Sequence, residues 1–338
     1  VRRMAVLWEP QRIALRLIGQ LEETQKARGY GIMLAILKAR QLGISTLVDL
    51  MLTHRAINTG GFTSLLAADV RPQSTYLYNI IERAYANLPW WMKPHCEYHT
   101  KEKGMFFDKL DSLIQVDHGN RPMVEGKGKK KDLGRGSTTH FTHLSELENW
   151  AAPKQIYDGL MPGIPKIPGI FAAFESTGEF RRSDWHNFVM DAIAGTNLFT
   201  LLFIPWYAEP TECRIVPPVG WVPDVATLEH AAQVERTSPR WMEGRTVHLE
   251  PDQLYFWEVT RLSYAKRDEL GVFACEYCSD PSEAFRSVRT AIVSHQLLEW
   301  LRMQTSHPRG WEITGPYVDH RSLRAENDAL LQQSHRRG

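Results

Sequence analysis

The sequence predicts an α/β fold in which a mostly parallel central sheet is flanked by helices. Short apolar runs of the length of buried strands occur at 32–37, 62–68, 169–175 and 199–206. Between them lie longer segments whose apolar residues recur at helical spacing, as over 72–88. Regular alternation of buried strands with helices is typical of a parallel α/β sheet. Two shorter strands at 105–107 and 113–116, and one ending at 146, bring the expected total to about seven.

The composition is that of a globular chain with ample core. The 338 residues are 43% hydrophobic and carry a net charge of +1. A charge so close to zero excludes DNA binding through overall charge alone, although a local basic patch is compatible with it. No apolar run reaches the roughly 20 residues that span a bilayer, and we expect no secretory signal at the N-terminus.

The four cysteines favour a reducing compartment over a disulfide scaffold. Cys275 and Cys278 form a CxxC pair, and His95, Cys96 and His99 form a second cluster. A structural zinc site needs four ligands in one place. Because the two clusters lie far apart in the sequence, we favour buried thiols over a zinc site.

A phosphate-binding loop (Walker A) is predicted between the first strand and the helix after it. The strand 32–37 leads into a glycine-containing turn and then an apolar-periodic segment, so a helix N-terminus would face a bound anion. Gly43 and Ser45 hold the sixth and eighth places of the pattern GxxxxGK[ST], but Ile44 replaces the usual lysine and Lys38 the first glycine. Lys38 could reach the same phosphates from the strand side. The alternative is an ordinary strand–turn–helix with a solvated basic turn.

A catalytic acid is predicted at the end of a later strand. The segment 138–146 ends at Glu146, the place of a Walker B group, and Ser145 stands where that group usually has aspartate. We expect Glu146 to orient or deprotonate the attacking water. Magnesium would then be held mainly by the Ser45 hydroxyl, ATP oxygens and waters, because Mg2+ keeps several waters in most sites. The alternative for Glu146 is an ordinary surface acid.

Further positions are candidates for contact with a nucleotide. Ser176 and Thr177 follow the strand 169–175 and could sense the γ-phosphate from there. Gln11 precedes the loop where helicase-like ATPases have an adenine-reading glutamine; a helix surface residue is the alternative. Arg135 lies between two glycines, which would let its guanidinium approach a phosphate closely.

A change in composition after residue 206 suggests how the chain is divided. Residues 1–206 are expected to form the P-loop ATPase core, and the proline-rich 207–304 a smaller helical region that completes the ATPase domain. The polar residues 305–338 are expected to form a tail or linker. Because the candidate chemistry lies at the carboxyl ends of parallel strands, the predicted fold class is α/β, an ASCE-type P-loop NTPase.

These motifs, in their order along the chain, resemble the ATPase domain of large terminase subunits from tailed bacteriophages and prophages. The resemblance covers roughly residues 8–287. The motifs are Gln11, 38–46 (KARQLGIST), 134–136 (GRG), 144–146 (LSE) with Trp150, 174–178 (FESTG), 203–206 (FIPW), and 276–285, which starts with Glu-Tyr and ends with Ser-Glu-Ala-Phe. Several independent signals that agree are stronger than any single motif.

The resemblance implies a motor that uses ATP and Mg2+ to translocate double-stranded DNA into a viral procapsid. It implies that Lys38 neutralises phosphate charge, Ser45 binds Mg2+, and Glu146 activates water and reaches the metal through a water. Arg40 matches the arginine proposed in the family as a cis trigger of the transition state. Lys38, Arg40 and Glu146 are therefore the expected catalytic group.

The other nucleotide contacts that the resemblance implies come from the loop and its surroundings. The amides of residues 40–45 would cradle phosphate, and the expected cofactor-binding residues besides those above are Gln11, Gln41, Gly43, Thr46, Ser176, Thr177 and Arg135. Of these, Ser176 and Thr177 would form the coupling motif that relays hydrolysis to movement. Arg135 would serve either the nucleotide or a neighbouring subunit.

Partners are likewise implied by the resemblance alone. They are double-stranded DNA, a small terminase subunit and a portal protein, in the cytoplasm of a bacterial host and without a membrane. We expect a homo-oligomeric ring on the portal, although a monomer in isolation would be no surprise. Large terminases also carry a nuclease with clustered aspartates; only Asp319 and Asp328 follow residue 287, both in a polar tail, so nuclease activity is not expected.

Two other functions are compatible with the same residues. A helicase-like DNA translocase would share the ATPase motifs but would require a second RecA-like domain. A degenerate, non-hydrolysing P-loop protein from a prophage remnant is favoured by Ile44 and Ser145. Lys38, Ser45 and Glu146 count against it, because a protein without ATPase activity has no need of them.

Overall fold

The structure, a computed structural model, describes residues 6–101, 103–119, 138–209 and 211–286. The helices are α1 (Glu9–Ala27), α2 (Ile44–Asn58), α3 (Arg71–Ala86), α4 (Pro153–Leu160), α5 (Asp184–Ala194), α6 (Val225–Trp241), α7 (Pro251–Ala265) and α8 (Leu270–Glu276). The strands are β1 (Ile32–Lys38), β2 (Thr63–Ala68), β3 (Tyr98–Thr100), β4 (Gly104–Phe107), β5 (Ser112–His118), β6 (Phe141–Ser145), β7 (Phe171–Ser176) and β8 (Thr200–Ile204).

Eight strands of the described residues form one sheet in the order β3-β4-β5-β2-β6-β7-β1-β8. The run from β5 to β8 is parallel throughout, and β4 and β3 add an antiparallel edge. An additional strand, β7, separates β1, which leads into the phosphate loop, from β6, which leads into Glu146. This order confirms the predicted fold class, a mostly parallel ASCE-type P-loop α/β fold.

The centre of the sheet explains why β1 is an unbroken apolar run. All seven of its residues are buried, because β7 and β8 flank it in the sheet while α1 and α5 pack against it. A parallel strand buried on both faces has no solvent side on which to place polar residues. Its last residue, Lys38, is the exception, and it lies at the carboxyl end where the sheet opens into the phosphate loop.

The C-terminal helices are tied to the sheet through Trp206. Its backbone N–H donates to the Cys278 carbonyl at 3.2 Å, and its indole N–H donates to the Ser279 hydroxyl at 3.0 Å. The sequence predicts one helix over 254–270, but the structure has two, α7 and α8, because the backbone turns at Asp268 with a φ of +58°. The described residues all belong to one compact unit, Val1–Arg289.

Some expectations fall outside this description. The sequence also predicts a helix over 292–303, which lies outside the described residues, as does the tail 305–338. The boundary at 206 stays a prediction. In the described ranges, no helix is both long and apolar enough to cross a bilayer.

Replacement of Gly104 by alanine should destabilise the antiparallel edge of the sheet. Its φ is +90°, and an added Cβ would lie 1.8 Å from the Ile114 carbonyl oxygen, so β4 and β5 could not keep their spacing. We expect Gly104→Ala to lower the free energy of unfolding by about 3 kcal/mol or more in chemical denaturation.

Gly61→Ala is the matched control. Gly61 has a similar φ of +65° but nothing lies within 4 Å of an added Cβ, so only the left-handed backbone is penalised, by about 1 kcal/mol. Equal losses in the two variants would contradict the close approach of β4 to β5.

Candidate active site

A cavity of about 1050 Å3 opens at the carboxyl ends of the central strands. One wall is the loop between β1 and α2, and another is formed by Glu146 after β6 and Thr177 after β7. The C-terminal helices close it with Phe256, Tyr264 and other residues. A pocket of this size between two parts of a chain is suited to a small-molecule ligand.

The loop is shaped to present backbone N–H groups to this cavity. Gln41 and Gly43 both have left-handed backbones, with φ of +62° and +69°, and α2 begins directly afterwards. The first intrahelical bond runs from the Leu47 N–H to the Gly43 carbonyl at 3.1 Å. The N–H groups of residues 44–46 therefore have no intrahelical acceptor and remain for an anion.

The first residues of the loop are bonded elsewhere. The Ala39 N–H donates to the Ile204 carbonyl at 2.9 Å, and the Arg40 N–H to the Glu276 carbonyl at 3.0 Å. The Arg40 N–H, one of the amides that the resemblance implies would cradle phosphate, is thus bonded to the Glu276 carbonyl in this structure. The cradle itself stays a prediction.

Gln11 braces the loop from behind. Its side-chain N–H donates to the Gly43 carbonyl at 2.8 Å, and its side-chain oxygen accepts from the Trp8 N–H at 3.0 Å. Gln11 is buried and both ends of its amide are engaged, so its position is explained without a ligand. Its predicted contact with adenine stays a prediction.

Lys38 faces the predicted catalytic acid. Its Nζ lies 3.4 Å from Glu146 Oε1, with the lysine side chain only 7% exposed and the glutamate 29%. Burial would lower the pKa of Lys38, but the carboxylates of Glu146 and Glu175 more than offset this and raise it. The lysine is therefore a charged ammonium group at neutral pH, held where three central strands end.

The backbone at Glu146 is strained in the manner of a functional residue. Its φ of +56° and ψ of +46° are left-handed, which a residue with a Cβ rarely adopts. The Ser176 hydroxyl accepts from the Glu148 N–H at 3.2 Å and lies 3.5 Å from Glu146 Oε2. Ser176 is fully buried and supports the turn that carries the acid, while Thr177 reaches the cavity.

Arg40 is paired with the C-terminal helices. Its guanidinium forms an ion pair with Glu276 at the end of α8, and the same carboxylate accepts from the Tyr264 hydroxyl. The Arg40 side chain is 59% exposed. This pair joins the phosphate loop to the opposite wall of the cavity.

A buried chain of acids and a base lies directly below the loop. His143 on β6 contacts Asp49 of α2 through Nδ1 at 2.8 Å and Glu175 of β7 through Nε2 at 3.2 Å. The Ser145 hydroxyl donates to the same Glu175 oxygen at 2.8 Å. All three ionisable side chains are fully buried, so their charges must compensate one another.

These three buried side chains are arranged as a cation, His143, between two acids, Asp49 and Glu175. Burial would lower the pKa of His143, but Asp49 and Glu175 raise it to about 9. Burial would raise the pKa of Glu175, but Lys38 and His143 hold it well below its usual range. Burial raises the pKa of Asp49 to about 6 against the opposing effect of His143. His143 is therefore an imidazolium at neutral pH.

Most of the predicted site residues meet at the cavity. Those that line it are Lys38, Arg40, Gln41, Gly43, Ser45, Thr46, Glu146 and Thr177. Gln11 and Ser176 lie behind them as supports. Arg135 lies outside the described residues. Among the residues that the structure describes, no group of three or more His, Cys, Asp or Glu side chains could hold a metal ion.

The sequence reasoning missed the residues of the buried chain. Asp49 follows Ser45 by four residues, so the two share one face of α2, and a lone acid on that buried face was a usable signal. Glu175 interrupts an apolar strand, which was a second signal, whereas β6 (Phe-Thr-His-Leu-Ser) is too polar for His143 to stand out. Glu276 was part of a motif without a role; its contact with Arg40 depends on tertiary structure.

Comparison with known proteins gives likenesses in structure only. The sequence matches no protein-family profile and no curated protein. Similar solved structures include the large terminase of bacteriophage HK97, at a TM-score of 0.49 and 13% identity over 77% of this chain and 48% of that one.

Two more structures extend the comparison. The large terminase of a thermophilic bacteriophage has a TM-score of 0.44 and 12% identity, covering 59% of this chain and 46% of that one. The ATPase domain of the Thermus phage P74-26 large terminase has a TM-score of 0.39 and 13% identity, covering 73% of this chain and 87% of that one. This chain spans about half the length of the HK97 protein and of the thermophilic-phage protein.

Stability should fall as pH rises through neutrality. The pKa of His143 rises from 6.5 in the unfolded chain to about 9 in the folded one. Between these values the folded state holds a proton that the unfolded state has released. The free energy of unfolding should therefore drop between pH 6.5 and 9, by on the order of 3 kcal/mol.

Asp49→Asn separates this contribution from other titrations, since it removes the carboxylate that most raises the pKa of His143. We expect a visibly shallower pH dependence in this variant when denaturant midpoints are measured from pH 6.5 to 9. Identical slopes in the variant and the parent protein would mean that His143 is not charged in the fold.

Proposed function

We propose that this protein is the ATPase of a viral DNA-packaging motor, which couples ATP hydrolysis to translocation of double-stranded DNA into a procapsid. One observation carries the ATPase part: a buried lysine at the start of a phosphate-type loop lies opposite a strained glutamate, at the mouth of a cavity large enough for a nucleotide. Binding of phosphate, activation of water and holding of the base follow from named groups.

Lys38 and the loop amides would hold the phosphates. The free N–H groups at the start of α2 and the Lys38 ammonium converge on one wall of the cavity, which offers both dipole and charge to a polyphosphate. In the usual pattern a lysine at position 44 places its positive charge on the phosphates. Lys38 would supply that charge from the end of the strand instead. Its contact with Glu146 is long enough to be exchanged for a phosphate oxygen.

Glu146 would act as the base that activates water. With Lys38 drawn to phosphate, Glu146 Oε1 loses its cationic partner and becomes available to accept a proton from water. Ser176 stays near Oε2 and keeps the carboxylate aimed at the cavity. The left-handed backbone at this residue fixes the direction of the side chain.

The donors near the loop fit a magnesium ion. Ser45 and Glu146 both line the cavity and offer only oxygen atoms, which Mg2+ prefers. Ser45 would hold the ion directly and Glu146 through a water. The ion would supply charge neutralisation on the β- and γ-phosphates.

The far wall of the cavity would hold the base and the trigger arginine. Phe256, Tyr264 and Tyr277 offer aromatic faces on which adenine could stack. Arg40 must leave Glu276 to reach the γ-phosphate. Because an exposed ion pair is worth only about 0–1 kcal/mol, this exchange would cost little.

The motor part of the proposal rests on the ordered motifs that resemble large terminases. The HK97 and thermophilic-phage proteins are named as large terminases, and this chain spans about half of each. Double-stranded DNA, a small terminase subunit, a portal protein and a ring of copies on the portal are proposed as partners on that resemblance, in the cytoplasm of a bacterial host. Ser176 and Thr177 would couple hydrolysis to movement.

Two substitutions should separate binding from hydrolysis. Lys38→Ala should weaken ATP binding by roughly 10-fold or more, because a desolvated charge–phosphate contact is lost. Glu146→Gln should keep ATP binding and lower kcat by roughly 100-fold or more, because the general base is lost. Calorimetric binding and phosphate release measure the two effects.

Lys109→Ala serves as the control, since Lys109 is an 80% exposed lysine outside the cavity lining. It should bind and hydrolyse ATP like the parent protein. A parent protein that neither binds nor hydrolyses ATP would overturn the ATPase proposal and leave the degenerate P-loop alternative.

Linear duplex DNA tests the motor part. We expect it to raise the ATPase rate of the parent protein, and not that of Glu146→Gln, when rates are measured with and without DNA. Hydrolysis that is indifferent to duplex DNA but stimulated by single strands would favour the helicase-like translocase.

A further inference from the structure

We propose that Glu175 on β7 supplies the magnesium-organising carboxylate that the strand next to it, β6, lacks at Ser145. The inference rests on the proposed ATP site and adds a metal-site residue to it. It follows from the register of two strands, from an unpartnered oxygen atom and from the groups that surround it.

The register puts the acid one strand away from its usual place. Ser145 and Glu175 are paired directly across β6 and β7, and their side chains meet, since the Ser145 hydroxyl donates to Glu175 Oε1 at 2.8 Å. A serine side chain ends one bond short of where the carboxylate oxygens of an aspartate would lie. The longer glutamate from the adjacent strand can therefore occupy the space that an aspartate at 145 would fill.

One oxygen of this carboxylate has no partner. Oε1 accepts from Ser145 and contacts His143 Nε2 at 3.2 Å, whereas Oε2 is fully buried and has no hydrogen-bond partner within the described residues. A buried, unsatisfied carboxylate oxygen is costly. Such an atom beside a nucleotide site indicates a ligand that completes it.

The surroundings of Glu175 identify that ligand as a metal ion or its bound water. Glu175 is fully buried beneath the cavity and does not line it, but the Ser45 hydroxyl, which does, lies within hydrogen-bonding reach of this carboxylate, and the Lys38 ammonium lies close by. The described residues contain no cage of three acidic, His or Cys ligands. One carboxylate, one serine hydroxyl, phosphate oxygens and waters are instead the kind of set in which Mg2+ binds with nucleotides.

Asp49, the other buried acid that contacts His143, is the matched comparison for Glu175. It is equally buried, contacts the other nitrogen of His143, and also has an oxygen, Oδ2, with no partner in the described residues. It lies four residues after Ser45, or about 6 Å further down the helix axis. If Glu175 only balanced the charge of His143, the two acids would be equivalent.

The experiment measures how much Mg2+ tightens the binding of a non-hydrolysable ATP analogue. Titration calorimetry with excess Mg2+ and with EDTA gives this gain without any turnover. The parent protein should show a clear gain. Glu175→Gln should keep the metal-free affinity and lose the gain by about 10-fold or more, while Asp49→Asn should keep both.

The most specific variant moves the carboxylate from β7 back to β6. Ser145→Asp combined with Glu175→Ser should restore the gain that Glu175→Gln loses, because the carboxylate returns to β6. Glu175→Asp covers the case in which Glu175→Gln does not fold: it keeps the charge beside His143 but retracts the carboxylate, and should show a reduced gain.

The outcomes are distinguishable. Two results would overturn the role of Glu175 and leave the ATP site intact. One is an equal loss of the Mg2+ gain in Glu175→Gln and Asp49→Asn. The other is an undiminished Mg2+ gain in Glu175→Gln, or in Glu175→Asp if Glu175→Gln does not fold. Failure of the parent protein to bind the analogue with or without Mg2+ would instead overturn the proposed function.

Discussion

The site depends on one buried ammonium group and the two carboxylates that keep it charged. Lys38 ends a strand that is otherwise entirely apolar, in a place where an isolated charge would be expelled or neutralised. Glu146 and Glu175 raise its pKa against the effect of burial. The lysine in turn helps to keep Glu175 ionised, so the strands β6 and β7 and the loop itself share one electrostatic balance.

That balance also explains how the chain tolerates two departures from the usual pattern. A phosphate loop with isoleucine at 44 loses a cation, and a Walker B strand with serine at 145 loses an anion. Lys38 returns the cation at the start of the loop. Our proposal is that Glu175 returns the anion from the next strand, so that the net charge around the phosphates is the usual one while each group comes from a different position.

Much of the fold was predictable because it follows from local patterns. The alternation of apolar runs with helical segments gave the parallel sheet, and the acid at the end of β6 gave the position of Glu146. The division of 251–276 into two helices was not predicted, because no proline or glycine at Asp268 marks the turn in the sequence. The eighth strand, β3, is only three residues long and mostly exposed, too short for a periodic signal.

The candidate site was predictable in its rim and not in its interior. Loop residues such as Ser45 follow a motif, and motifs are visible in sequence. The contacts of Asp49, His143 and Glu175 join a helix to two strands that are far apart in the chain. Such contacts depend on strand order, which the sequence did not specify. For the same reason the sequence did not reveal that the Gln11 side-chain amide donates to the Gly43 carbonyl.

The most direct test of the account is a crystal structure of the protein with Mg2+ and a non-hydrolysable ATP analogue. The account predicts the terminal phosphates between Lys38 Nζ and the N–H groups of residues 44–46, with the 3.4 Å contact from Lys38 to Glu146 broken. A nucleotide bound elsewhere would contradict the account. So would phosphates that make no contact with the loop while Lys38 remains in contact with Glu146.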